Sequence, residues 1–187
     1  MAYNQEEKAR ASIDEAKSLV IDSIAETMDL YGVTRSAGTL YGTMYFEKDM
    51  TLDEMREKLG MSKPSMSTGV KKLQEYDIVK KTFRKGTRRQ TYVAEKDFFQ
   101  FFANFFSKKW LREAKVNLSA IYKAQKELEQ ILADDNLDED LREEAERAYH
   151  QMEASIPYYH WLQKLVVSIE SGELFDKIPI DEEPKNK

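Results

Sequence analysis

The residues of this chain whose types and spacing could do chemistry lie between Ser62 and Arg89, and that chemistry is recognition of phosphates and base edges. Met66, Val70 and Leu73 recur at i, i+4 and i+7, so a helix through them buries that stripe and turns Ser65, Thr68, Lys71 and Lys72 to solvent. Ser62, Lys63 and Ser67 flank the same surface. Hydroxyls can reach base edges or phosphate oxygens and ammonium groups neutralise phosphates, a combination that suits the major groove of double-stranded DNA. Further on, Arg84, Lys85, Thr87, Arg88 and Arg89 crowd around a single glycine.

From Met61 to Lys96 there are ten Lys/Arg and three Asp/Glu, a local net of +7 in a chain whose total is −5, so the remainder carries −12. A basic footprint on an acidic protein is what counterion release from a phosphate backbone requires. The plain alternative is that these lysines and arginines form a solvated surface.

Catalytic arrangements do not emerge. The chain has no cysteine, which excludes disulfides, a thiolate nucleophile and Cys-based zinc sites. His150 and His160 are ten residues apart on one predicted helix, too far for a chelating pair, and Glu146 with His150 reads as an i, i+4 surface pair. There is no Gly-rich phosphate loop, nucleophile elbow or supported carboxylate pair. The reading is a protein that is not an enzyme and needs no cofactor or metal.

Several short elements must position the basic residues. Thr51 and Glu54 have capping-box spacing ahead of Leu52, Met55 and Leu59, which share one helical face. Gly60 stops that helix, and Ser62 caps the next, whose Pro64 sits in the first turn where a missing N–H costs nothing. Two helices joined by a tight turn form a helix-turn-helix. After Asp77, IVKKTF and QTYVA are β-prone runs around RKGTRR, a hairpin with a basic tip, which is a wing.

Three stretches carry a family resemblance: Leu30 to Glu47 (LYGVTRSAGTLYGTMYFE), Met50 to Gln74 (MTLDEMREKLGMSKPSMSTGVKKLQ) and Val79 to Phe102 (VKKTFRKGTRRQTYVAEKDFFQFF). They resemble the winged-helix regulators of the MarR superfamily, closest to the GbsR-type regulators of glycine betaine synthesis and osmoprotectant uptake. The resemblance covers the chain up to about Trp110, with only long-helix character shared beyond. It implies a mainly α fold, a winged helix-turn-helix with long helices forming a dimerisation region, and a DNA-binding transcriptional regulator, expected to be a repressor. It also implies a small effector such as choline or a betaine. A quaternary ammonium has no hydrogen to donate and is recognised by ring faces. Tyr41, Tyr45, Phe102, Phe106 and Trp110 would make that box, the last three repeating every four residues on one helix face. The same rings could instead be a packed aromatic core, and Tyr158, Tyr159 and Trp161 are a second candidate wall. A MarR-type regulator of another ligand, or a winged helix that docks a protein, are the rival readings.

The rest of the chain reads as scaffold. Residues 5–30 form an amphipathic helix with Ile13, Ala16, Val20 and Ile24 in a stripe, to which the resemblance assigns dimerisation. Gly38 and Gly42 lie one turn apart on a helix, so something must approach closely, a neighbouring helix or a small ligand. The span from Glu95 to about Ala133 lacks Gly and Pro and carries a seam at Leu111, Ala114, Leu118, Ile121, Gln125, Leu128 and Leu132. A second seam runs from Leu141 to Ile169, so the two helices pair as an antiparallel hairpin, with Pro157 expected to kink the latter. The expected divisions are 1–32 (dimerisation), 33–94 (winged helix), 95–172 (ligand and dimerisation) and an acidic tail, 173–187. The unpartnered stripes predict a homodimer, which would set two reading helices ~34 Å apart. With charged residues through the first twenty positions and no apolar run of ~20, no secretory signal or membrane span is expected, and a cytoplasmic location follows.

Overall fold

A computed structural model describes residues 2–84 and 89–181. Among these the order is α1 (Ala2–Leu30), α2 (Arg35–Tyr45), α3 (Leu52–Leu59), α4 (Lys63–Glu75), β1 (Val79–Phe83), β2 (Gln90–Ala94), α5 (Phe98–Leu132), α6 (Glu139–Glu170) and α7 (Glu173–Lys177). The fold is mainly α with one two-stranded sheet, a winged helix-turn-helix. The chain divides into two compact units, Met1–Phe101 and Phe102–Lys187.

In the first unit α2 is the central element. Ala37, Leu40, Tyr41 and Met44 are buried on it, and α1, α4 and β2 pack around it. Both of its helical glycines face α1. A Cβ at Gly42 would meet the Ile21 Cα at 3.1 Å, and one at Gly38 would come closer still to Ala25. The occupant of the glycine face is therefore the neighbouring helix. Gly69 plays the same part on α4, where an added Cβ would reach the Leu40 side chain at 3.1 Å.

The local signals hold in detail. Thr51 Oγ1 accepts from the Glu54 N–H at 3.2 Å while the Thr51 N–H donates to Glu54 Oε2 at 2.7 Å, a complete capping box worth about 1 kcal/mol. Gly60 ends α3 with φ +64°, a left-handed conformation that glycine adopts without strain. Ser62 caps α4, with Pro64 in its first turn. Asp77, at φ +55°, closes α4 as the Ile78 N–H reaches back to the Leu73 carbonyl at 3.3 Å. β1 and β2 then pair antiparallel from Val79↔Ala94 to Phe83↔Gln90.

The second unit is the rest of α5 with α6 and α7. Side-chain contacts between α5 and α6 run antiparallel: Glu113 meets Tyr158, Glu129 meets Tyr149, and the Leu132 carbonyl accepts from Arg142. Ala114, Leu118 and Gln125 are buried from one seam and Ala145, Leu162, Val166 and Ile169 from the other, whereas Leu111 and Leu141 are exposed. α6 runs on through Pro157. Three features differ from expectation. Asp97 caps α5 through the Phe99 N–H at 2.8 Å, so the helix starts at Phe98 rather than Glu95. His150 faces Glu153, three residues on, rather than Glu146. The chain does not lose regular structure at Gly172, because that residue turns with φ +84° into α7. α7 then sets Phe175 against Phe102, ring centroids 6.4 Å apart.

Candidate nucleic-acid interface

Helix α4 is held from beneath by Met66, Val70 and Leu73, all essentially buried, each worth about 1.5–3 kcal/mol. That anchoring forces the other face out. Ser62, Lys63, Ser65, Thr68 and Lys71 are exposed, with Ser67 and Lys72 half-buried. The hydroxyls of Ser62 and Ser65 lie 2.9 Å apart at the helix start. Lys71 makes no ion pair among the described residues, whereas Lys63 faces Asp53 at 3.2 Å and Lys72 faces Glu75 at 2.8 Å. The hydrogen bond that it donates to Glu75 is the main reason the Lys72 ammonium holds its proton more tightly than usual, and its Nζ also sits 5.1 Å above the Tyr76 ring.

The hairpin supplies the second part. Lys80, Lys81 and Arg89 are exposed, while Lys85, Thr87 and Arg88 lie outside the described residues. Arg84 is turned onto the protein. Its Nε donates to Asp49 Oδ2 at 3.1 Å and its Nη1 to Glu54 Oε1 at 3.2 Å. These acids also raise the affinity of the guanidinium for its proton, Asp49 first.

An open cleft of about 540 Å³ separates the start of α2 from α4, with Thr34, Ser36, Ser65, Thr68 and Lys72 on its rim and Ala37, Leu40 and Met66 in its floor. Thr34 and Ser36 were not legible as part of this surface. Thr34 also caps α2, accepting from the Ala37 N–H at 3.4 Å. No group of three or more His, Asp or Glu residues among those described could hold a metal ion.

The five rings expected to form a box fall into two local sets. In the first unit Tyr41 is buried, its hydroxyl donating to the Glu95 carbonyl at 2.6 Å and its ring 5.2 Å from Phe101. Burial, then the charge of Glu95, pushes its hydroxyl pKa up beyond the usual tyrosine range. Tyr45 is half-buried between Phe46 and Phe98. In the second unit Phe102, Phe106 and Trp110 are half-buried and follow one another along α5. Phe106 and Trp110 lie 5.0 Å apart at 36°, and Phe102 stands at 81° to Trp110 with centroids 6.3 Å apart. Phe175 extends this set, a residue that sequence reasoning missed because it lies beyond the apparent end of the last helix. The exposed Tyr158 and Trp161 stack at 27° on α6.

Comparison with known proteins agrees with this architecture. Residues 98–176 match the model of the C-terminal helical hairpin of GbsR family transcriptional regulators. The HTH-type transcriptional repressor GbsR of Bacillus subtilis (strain 168) is 60% identical over 171 residues, 91% of this chain and 95% of that protein. The HTH-type transcriptional repressor OpcR of the same organism is 33% identical, covering 89% of this chain and 91% of its own length. A crystal structure of a transcriptional regulator superposes with a TM-score of 0.54 over 83% of this chain and 99% of that one, at 13% identity, a likeness of fold alone. The relatives are named as regulators, not enzymes, and no described helix is long and apolar enough to cross a membrane. With 60% identity along nearly all its length and a matching helical hairpin, the chain belongs to the GbsR family of transcriptional regulators.

Proposed function

We propose that this protein is a repressor that binds an operator as a homodimer and is released by a small quaternary-ammonium compound of the choline or glycine betaine kind. The observation that carries the DNA part is the outer face of α4, where hydroxyls and lysines stand on a buried Met66–Val70–Leu73 base while the rest of the chain is acidic. Ser62, Lys63, Ser65, Ser67, Thr68, Lys71 and Lys72 read the groove, and Arg89 with Lys85, Thr87 and Arg88 reaches the flanking backbone. The names of the two relatives support repression.

Dimerisation is supported by apolar side chains left open on the single chain: Ile13, Leu19 and Val20 on α1, and Val116, Trp161 and Val167 on the hairpin. A second copy covers them and gives the two-fold symmetry that a palindromic site requires. For the effector, Phe102 stands at 81° to Trp110 and 74° to Phe175, with Phe106 tilted at 36° to Trp110, a set of ring faces of the kind that holds a cation without hydrogen-bond donors. Nearby on the same helix, Lys109 already sits 5.9 Å above the Phe105 ring. Binding of the cation to one arrangement of the dimer more than another changes operator affinity by linkage.

The test uses a duplex selected by the protein from a random-sequence pool. Binding should weaken steeply with added salt, Lys71→Ala should weaken it further, and choline should release the complex. A salt-independent affinity that Lys71→Ala leaves unchanged would sink the groove assignment.

A further inference from the structure

We propose that Arg84 is a strut rather than a phosphate contact, so that Asp49 and Glu54, two acids beside a DNA-facing surface, are required for tight operator binding because they hold it. The proposal rests on the DNA reading above. Every donor-bearing nitrogen of the guanidinium is engaged: Nε with Asp49 Oδ2 at 3.1 Å, Nη1 with Glu54 Oε1 at 3.2 Å, and Nη2 with Glu54 Oε2 and the Asp49 carbonyl, each at 3.4 Å. Glu54 is itself fixed, because the same Oε2 accepts the Thr51 N–H in the capping box. A planar fork meeting two carboxylates, one of them anchored by the cap, is a directional joint, unlike a lysine point charge.

The joint sits where it can set the hairpin. Arg84 follows directly on β1, whose last residue is Phe83. β2 is tied to the same segment by the Met50–Tyr92 bridge, with backbone bonds of 2.9 and 2.8 Å. One attachment leaves a hairpin free to swing about it, and a second on the other strand removes that freedom. The segment 49–54 thus holds both strands and begins α3, so the hairpin and the helix pair move as one piece. Charge gives the same answer. Two carboxylates more than cancel Arg84, whereas Lys71, Lys80 and Arg89 carry exposed charge without an acidic partner among the described residues.

Electrostatics alone predicts that removing a negative charge here tightens DNA binding; the strut predicts the opposite. Operator affinity should be measured across a salt series for Arg84→Gln, Arg84→Lys, Asp49→Asn and Glu54→Gln, with the Arg84→Gln/Glu54→Gln pair. Gln at position 54 keeps a capping-box partner. Each single variant should bind about two- to fivefold more weakly. The pair should be no weaker than either single change, a non-additivity that general destabilisation does not give. The slope of log affinity against log salt should stay unchanged, while Lys71→Ala lowers it by about 0.9 per protomer. A lowered slope for Arg84→Gln, wild-type affinity for Arg84→Lys, or tighter binding by Glu54→Gln would each overturn the strut. If the wild-type protein selects no duplex, the DNA reading fails by itself. The strut is then read in the free protein, where Glu54→Gln should speed hydrogen exchange at the Met50 and Tyr92 amides severalfold; equal rates overturn it.

Discussion

A Cβ added to Gly38 would lie 2.7 Å from the Ala25 Cα, so α1 and α2 touch backbone to backbone with no side chain between them. Alanine is favoured over glycine inside a helix by about 1 kcal/mol. Here that gain is outweighed, because neither backbone can yield without moving a helix, and overpacking of this kind costs about 1–3 kcal/mol. Gly38→Ala should lower the thermal midpoint, and Gly42→Ala, with 3.1 Å to Ile21, should lower it less. Gly60→Ala meets nothing within 4 Å and should cost only the left-handed strain, about 1 kcal/mol. A Gly38→Ala midpoint at or above wild type would show that the helices are not locked by this contact.

What could be read in advance followed the range of the interactions. Thr51 with Glu54, Gly60 and Ser62 act within one helical turn, so their spacing exposes them. The hairpin was legible for the same reason, from two short runs around a glycine. Arg84 was grouped with the basic tip because its partners, 30 and 35 residues back, leave no mark beside it in the chain. Tyr41 was grouped with ligand-facing rings, though its hydroxyl is engaged by a carbonyl 54 residues away. Ring identity and helical spacing say which side chains share a face, not whether that face is filled from within. Phe175 escaped because a left-handed Gly172 looks like an end and is a turn.

Lys71 and Lys72 are neighbours in sequence and differ in electrostatic state. Lys72 already holds Glu75 at 2.8 Å, so a phosphate that takes it must displace a carboxylate and gains less. Lys71→Ala should therefore reduce the salt slope of DNA binding by about 0.9 per protomer and Lys72→Ala by less. Glu75→Gln should frees the ammonium to act and steepen the slope. Equal slopes for the two lysine variants would show that the ion pair does not survive in solution.

Tyr41 and Trp110 should separate core from effector site. Tyr41→Phe leaves the Glu95 carbonyl without its 2.6 Å donor and should destabilise the fold by about 1 kcal/mol, with choline heats in titration calorimetry unchanged. Trp110→Ala removes a ring that faces both Phe102 and Phe106 and should abolish the heat. A Tyr41→Phe protein that no longer responds to choline would return that hydroxyl to the effector site. A Trp110→Ala protein with full response would remove the α5 rings from it.

The carboxyl of Glu54 gives the acid limb of stability a specific origin. It is held below its ordinary value of 4.5, first by the Thr51 N–H; burial opposes this as the next-largest effect, and Arg84 then lowers it further. A carboxylate whose pKa is lowered by folding adds stability that is fully present above its ordinary pKa and is lost as pH falls through the lowered folded value. Glu54→Gln keeps the cap geometry but cannot titrate. Wild type should therefore be the more stable protein near neutrality, and its advantage should shrink as pH falls below the ordinary value of 4.5. Thermal unfolding of both proteins across that range reads the difference directly. The side chain is 42% exposed, so the effect is expected to be small and sensitive to salt. A gap between the two midpoints that stays constant as pH falls below 4.5 and on through acid unfolding would mean that the lost stability comes from other carboxylates, and that the joint of Thr51, Glu54 and Arg84 is not sensed by the charge on Glu54.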